Sequence, residues 1–126
     1  MATDPQFAAT PGLEHGQVST ANTNRDGTGT IATILTAGSN GTKIEEITVQ
    51  ATATTTAGMV RLYLHDGTNA RLFDEFGVPA VTPSASVACW RQTRTYTNLV
   101  LPTGWSLRAS THNAETFNVE CFAGAF

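Results

Sequence analysis

The sequence predicts an all-β protein, a jelly-roll-like sandwich of two β-sheets preceded by an extended N-terminal arm. From residue 29 to residue 126, apolar and polar residues alternate in short runs, a period typical of strands with one buried side. Gly, Asn, Asp and Pro separate these runs, and the apolar spacing of a helix is missing. About eight strands with one longer Pro-containing connection favour a jelly roll, with an immunoglobulin-like sandwich as the alternative.

The arm is predicted over residues 1–28, and the β-sandwich domain over residues 29–126. The arm contains two prolines, isolated apolar residues and a long polar run. Such a composition cannot bury enough apolar surface to become ordered by itself. We expect either a frayed terminus or an arm that becomes ordered on a neighbouring subunit, with Phe7 and Leu13 as its anchors and Arg25 as a further contact.

The first two strands are predicted over residues 30–35 and 43–54. Between them, the Asn-Gly step at residues 40–41 supplies the positive φ angle of a tight turn. Within the second run, Ile44 is out of phase with Ile47. A shift of one residue moves a side chain to the other face of a strand, so we expect a bulge or a bend around residues 45–46.

The next two strands are predicted over residues 60–65 and 69–73, on either side of an Asp-Gly turn. Together with residues 43–54, they are expected to form a meander. Residues 76–83 contain two prolines, which lack the donor of a ladder hydrogen bond. This segment is therefore predicted to be a crossing connection or an edge strand.

The remaining strands are predicted over residues 87–96, 98–101, 105–110 and 117–123. A Pro-Thr-Gly turn at residues 102–104 separates the second from the third. In the last run the apolar set alternates with Asn, Glu and one further Phe. The C-terminal run is thus predicted to be a strand with one face in the core.

Composition argues against nucleic acid and against a membrane as partners. The net charge is −3, and charged residues make up only 13% of the chain, so the surface is covered mainly by hydroxyl and amide groups. Lys43 is the single lysine, and among the scattered arginines only Arg91 and Arg94 are close in sequence, whereas nucleic-acid binding needs clustered cations. The N-terminus lacks the pattern of a secretory signal, and no run reaches the length of a membrane span. Synthesis in a cytoplasm is the simplest expectation.

Catalytic, metal and cofactor chemistry are not indicated either. His65 and Asp66 are adjacent, but neighbours in a strand point to opposite faces, and Asp66 is better explained by its turn. Cys89 and Cys121 lie within predicted strands, where buried free thiols are favoured and a disulfide is the alternative. We expect no enzyme activity, no bound metal and no cofactor.

One aromatic and basic cluster is a candidate contact site. Trp90 is followed by Arg91, Arg94 and Tyr96, and Trp, Tyr and Arg concentrate binding energy at protein interfaces. Core packing or a lid over one end of the sandwich is one alternative interpretation of Trp90, and a sugar-stacking platform is another. We expect these residues to contact another protein subunit.

Five segments after the predicted arm carry a family resemblance. They are residues 41–44 (GTKI), 58–67 (GMVRLYLHDG), 78–80 (VPA), 101–110 (LPTGWSLRAS) and 115–119 (ETFNV). In these turns and strands, the chain resembles small β-rich virion proteins of tailed bacteriophages, in particular capsid decoration (cement) proteins.

The resemblance implies a non-enzymatic structural protein that binds the major capsid protein and stabilises the head. It further implies a homotrimer on the capsid surface of the virion, assembled in the host cytoplasm, with the arm up to Arg25 lying on the shell. The alternative is a tail or receptor-contacting carbohydrate-binding module, for which exposed aromatic rings would supply the binding site.

Overall fold

The computed structural model describes residues 10–126, which fold into eight β-strands without a helix. Phe7 and the first part of the predicted arm lie outside the described residues. The strands are β1 (Thr10–Val18), β2 (Ala32–Thr36), β3 (Thr42–Ala51), β4 (Gly58–His65), β5 (Ala70–Val78), β6 (Arg91–Leu101), β7 (Ser106–Thr111) and β8 (Phe117–Ala125).

The strands form two four-stranded antiparallel sheets. Sheet A has the order β1-β8-β3-β6, and sheet B has the order β2-β7-β4-β5. The pairs β1/β8, β2/β7, β3/β6 and β4/β5 are all antiparallel neighbours, so the chain behaves as one long hairpin wrapped into two layers. This order is that of a jelly roll. The predicted all-β jelly-roll sandwich is confirmed, and the immunoglobulin-like alternative is not.

The core lies between the two sheets and is formed by the side chains of alternate strand residues. Its fully buried members come from both layers, which explains why the period-two pattern was readable in the sequence. They include Ile44, Ile47, Val49, Val60, Leu62, Phe76, Leu107, Ala109 and Val119.

The predicted irregularity in β3 is confirmed. Its register against both β6 and β8 shifts between Ile44 and Glu46. Ile44 lies opposite Leu99 and Glu46 opposite Thr95, so three residues of β6 face a single residue of β3. The bulge returns Ile44 to the core side, where it is fully buried. The Asn-Gly turn before β3 is also confirmed, with φ +87° at Gly41.

Two predictions about the strands are wrong. The predicted meander does not exist, because β3 lies in sheet A whereas β4 and β5 form a hairpin in sheet B. The runs 87–96 and 98–101 are one strand, β6, which bends at Asn98 (φ +59°) opposite the bulge and continues. Both errors concern long-range pairing. The neighbours of β3 are β6 and β8, and β3 pairs with β6 on both sides of Asn98, which makes the two predicted runs one strand. The predicted edge at residues 76–83 fits β5, an edge strand that ends at Val78.

The described part of the predicted arm contributes a strand to the sandwich and a connection across it. Residues 10–18 form β1, which pairs with β8 from Thr10 opposite Ala125 to Val18 opposite Phe117. Residues 19–31 then lead to β2 across the outer face of sheet B, where Ala21 forms a bridge with Thr111. The domain boundary at residue 28 stays a prediction.

Candidate interaction surface

The connection between β1 and β2 covers part of the outer face of sheet B. Arg61 and Tyr63 of β4 alternate with core residues and point away from the core, yet only 1% and 0% of their surfaces are exposed. Arg61 Nη1 donates to the carbonyl of Asn22 at 3.1 Å, and the Tyr63 hydroxyl donates to that of Asn24 at 2.8 Å. These two long side chains therefore fix the connection on sheet B.

The connection is also stiffened from within by a single amide side chain. Asn22 is buried and donates from Nδ2 to the carbonyls of Thr28 and Thr30, at 2.9 and 3.0 Å. Its Oδ1 accepts from the backbone N–H of Asn24, and its own N–H donates to the carbonyl of Thr111. Backbone groups that sheet pairing leaves free are thereby satisfied.

The outer face of sheet A is open in the described chain. Its two edge strands, β1 and β6, carry exposed outward side chains, which are Leu13, His15, Gln17, Thr93, Thr95 and Val100. Leu13 lies directly opposite Phe122 of β8, and the two residues are 51% and 39% exposed. We call Leu13 and Phe122 the apolar pair. Large apolar side chains that adjoin each other on a surface are typical of contact sites.

A shallow groove continues from the apolar pair along β1 and β8. It is lined by His15, Gln17, Asn118 and Glu120 as well as by Leu13. Gln17 donates to Asn118 Oδ1 at 2.9 Å and so fixes the far end of this row. Beside the apolar pair, the groove offers two amides, one imidazole and the carboxylate of Glu120. The amides and the imidazole can be desolvated at lower cost than the carboxylate.

Arg94 and Tyr96, two predicted contact residues, join the two sheets within the chain. Both point inward from β6, and both bind Asp74 of β5, through Arg94 Nη1 to Oδ1 at 2.6 Å and the Tyr96 hydroxyl to Oδ2 at 2.9 Å. Arg94 also lies 4.4 Å from the ring centroid of Phe76, and the Tyr96 ring packs on Phe73 at 5.5 Å. The cluster closes the β5/β6 side of the sandwich.

Burial and hydrogen bonds within this cluster shift the pKa values of Asp74 and Tyr96. Burial raises the pKa of the Asp74 carboxyl, but hydrogen bonds from Arg94, Tyr96 and the Glu75 N–H outweigh it and hold that pKa below its usual range. Burial and the bond to Asp74 raise the pKa of Tyr96 far above its ordinary value. The carboxylate and the phenol therefore persist as a charged acceptor and a neutral donor near neutral pH.

The other predicted contact residues have separate environments. Trp90 is partly buried, and its ring packs edge-on against Phe117 at 6.1 Å. Arg91, the next residue, is exposed at the start of β6. Arg25 lies on the sheet B side, where its Nε donates to Glu75 at 2.8 Å. Those predicted contact residues that fall within residues 10–126 are therefore distributed over different faces of the molecule and do not form one site.

The groups considered for chemistry have structural partners. Asp66 Oδ1 accepts from the N–H groups of Thr68 and Asn69, and His65 Nδ1 accepts from that of Gly67, as expected of a turn.

Both cysteines are free, and burial, with a smaller effect of the Glu14 charge, raises the pKa of the Cys121 thiol to about 12. Among residues 10–126, no three His, Cys, Asp or Glu side chains are grouped to hold a metal ion. That part of the chain also has no helix long and apolar enough to cross a membrane.

Sequence reasoning missed Phe122 as a surface residue of interest. Its signal was present, because Phe122 shares the outward phase of the last strand with Asn118 and Glu120. A large aromatic residue on the polar side of a strand predicts either a contact or a covered face. What the sequence did not contain was its neighbour, since Leu13 meets Phe122 only through the β1/β8 pairing.

The similarity of this chain to known proteins is limited to solved structures. No family model matches the chain, and no curated protein matches it. Among solved structures, a chain of the cyanophage Pam1 capsid asymmetric unit aligns over 100% of this chain and 94% of its own length, with 14% identity and a TM-score of 0.47.

Proposed function

We propose that this protein is a non-enzymatic structural component of a bacteriophage virion, a decoration protein that binds the major capsid protein and stabilises the head. The observation that carries the proposal is the open outer face of sheet A with Leu13 and Phe122 exposed side by side. In this proposal, that face lies against the capsid.

The surface supports the proposal more directly than the fold does. Jelly rolls occur in viral capsid proteins but also in lectins and cupins, so the topology is compatible with several functions. The outer face of sheet B is partly occupied by the chain's own connection through Asn22 and Asn24. Sheet A therefore offers the more continuous surface for a partner.

The size of this face supports attachment through several copies. Four strands about 4.8 Å apart and roughly 30 Å long give an area of roughly 600 Å². A stable protein interface buries about 800 Å² on each partner. A single copy would thus bind weakly, whereas the homotrimer implied by the sequence resemblance would gain avidity from simultaneous contacts. Light scattering measures the mass of the protein in solution and so tests whether it is a trimer.

The first experiment changes the apolar pair. We expect Phe122→Asp to weaken binding to phage heads that lack the protein by at least about tenfold, because a charge would be desolvated at the centre of the contact. Binding is measured by co-sedimentation over a range of protein concentrations, and circular dichroism verifies the fold of each variant.

Leu72→Asp is the matched control, since Leu72 is 37% exposed but lies on β5 in sheet B. It should bind like the unaltered protein. Equal binding by Phe122→Asp and Leu72→Asp would reject the sheet A face as the contact. Failure of the unaltered protein to sediment with heads would reject the decoration role itself.

The carbohydrate-binding alternative depends on an available aromatic platform. Its main candidate, Trp90, packs edge-on against the core residue Phe117. A ring held in this way has less of its surface free for stacking on a sugar. We therefore propose the capsid contact in preference to a glycan site.

A further inference from the structure

A small cavity on the sheet B side is lined by two arginines and a histidine. It has a volume of about 160 Å³ and is lined by Arg25, Arg61 and His112, together with Ala57, Gly58 and Met59. The cavity is separate from the apolar pair, which is on the other sheet.

Arg61 has hydrogen-bond donors left over in this cavity. Its Nε donates to Glu75 at 3.1 Å, Nη1 to the carbonyl of Asn22 at 3.1 Å, and Nη2 to His112 Nδ1 at 3.1 Å. A guanidinium has one further N–H on each terminal nitrogen. Only 1% of the Arg61 surface is exposed, so these two donors have little access to bulk water, and Arg61 is part of the cavity lining.

The lining of the cavity contains two guanidinium groups and no carboxylate. A single oxygen of Glu75, Oε2, accepts from both Arg25 at 2.8 Å and Arg61 at 3.1 Å. Two guanidinium groups thus share one carboxylate, Glu75, and this carboxylate does not itself line the cavity. Glu115, the carboxylate on the neighbouring loop, bonds Thr56 and does not line the cavity.

His112 adds a donor to the same site. Because Arg61 can only donate, His112 Nδ1 must accept, which assigns the ring proton of the neutral imidazole to Nε2. The terminal nitrogens of Arg25, whose side chain is 55% exposed, supply further N–H groups at the mouth. The lining therefore combines an inner guanidinium, an imidazole and an outer, accessible guanidinium.

We propose that this cavity binds an oxyanion, either a carboxylate or a phosphate group. Guanidinium forks match both groups in geometry and charge, and their charge-assisted bonds are stronger than neutral ones. The site does not depend on the proposed virion role. The ligand could be a free ion or an acidic group of another molecule, and the two sources share this chemistry.

The test measures binding of small anions by ¹H–¹⁵N NMR at pH 7 and constant ionic strength. Inorganic phosphate and N-acetylglutamate amide are titrated separately, with chloride as the background ion. We expect saturable shifts of the backbone N–H signals of Gly58, Met59 and His112 with at least one of them. Saturation by phosphate indicates a phosphate ligand, and saturation by the glutamate derivative alone indicates an acidic protein side chain.

Two variants separate the site from general charge effects. Arg25→Gln, which keeps Arg61 and its bonds, should weaken binding at least about fivefold, because one charge-assisted contact is lost. Arg71→Gln removes an exposed arginine of β5 that does not line the cavity, and it should leave the affinity unchanged. The absence of saturable shifts with either anion, or equal affinity in Arg25→Gln and the unaltered protein, would overturn the proposal.

Discussion

Asp74 shows how one side chain can serve two sheets. It points inward from the edge strand β5, and its two oxygens accept from Arg94 and Tyr96 of β6. The adjacent Glu75 faces the opposite side and binds Arg25 and Arg61. The two neighbouring carboxylates therefore serve different faces of the strand and do not act together.

Removal of the Asp74 carboxylate should lower the free energy of unfolding. Asp74→Ala leaves the Arg94 guanidinium and the Tyr96 hydroxyl without their common partner, so we expect a loss of about 1–3 kcal/mol in the free energy of unfolding. Tyr96→Phe keeps the ring on Phe73 and should cost only about 1 kcal/mol. Urea unfolding measures both. Glu45→Ala, at an exposed ion pair, is the control and should change stability by less than about 1 kcal/mol.

These values would be contradicted by an Asp74→Ala variant as stable as the control. In that case the hydrogen bonds from Arg94 and Tyr96 to Asp74 would stabilise the folded chain no more than hydrogen bonds to water stabilise the unfolded chain. A double-mutant cycle of Asp74→Ala with Tyr96→Phe would then measure the remaining coupling between the two residues.

At the scale of elements, β1 depends on glycine where it passes β2. A Cβ at Gly16 would lie 2.7 Å from Ile34 Cδ1 and 3.3 Å from the carbonyl of Thr33, whereas a Cβ at Gly12 would meet nothing within 4 Å. Ile34 is itself buried, so it cannot move without displacing core neighbours. Gly16 therefore allows the first edge strand to approach the second sheet.

The same strand provides a matched pair of variants. We expect Gly16→Ala to lower the free energy of unfolding by about 1–2 kcal/mol through overpacking. Gly12→Ala should be neutral or raise it by up to about 1 kcal/mol, because alanine loses less backbone entropy on folding. Urea or thermal unfolding distinguishes them. Equal stabilities would show that β1 can shift away from β2 without cost.

Prediction from the sequence worked for elements whose signals are local. The β3 bulge between Ile44 and Glu46 was visible as a break in the period-two pattern, and the turn at Gly41 as an Asn-Gly step. The assignment of β3 to sheet A was not visible. Its partners β6 and β8 are distant in sequence, and a strand's own pattern specifies which face is buried without specifying its neighbour.

The same limit applies to the candidate surface. Leu13 was predicted as an anchor from its isolation in a polar segment, but its contact with Phe122 depends on pairing between opposite ends of the chain. Arg94 and Tyr96 were recognised as a cluster, but Asp74, which orients both, lies on another strand. The residue types that matter were thus recognisable, while their arrangement needed the topology.

For the whole molecule, the arrangement of carboxylates predicts sensitivity to acid. The pKa values of Asp26, Asp66, Asp74 and Glu75 all lie below their ordinary values. A carboxyl whose pKa is lower in the folded chain binds protons more readily when unfolded, so its stabilising effect is present above the ordinary pKa and is lost as the pH falls. The free energy of unfolding should therefore decrease from about pH 5 to about pH 2.

Urea midpoints measured across this range test the expectation. The Asp74→Asn variant, which lacks one of the four carboxyls, should lose less stability between neutral and acidic pH than the unaltered protein. A midpoint that stays constant down to about pH 2 would contradict the role of these ionised groups.

The register of β1 on β8 has a practical consequence. Thr10 is aligned with Ala125, so these two residues lie at the same pole of the molecule. A peptide or fluorophore fused after residue 126 would start beside the strand that carries Leu13, whereas an insertion at the Asp66-Gly67 turn between β4 and β5 would sit in the other layer. The choice of fusion point therefore decides whether added cargo crowds the open side of sheet A or leaves it accessible.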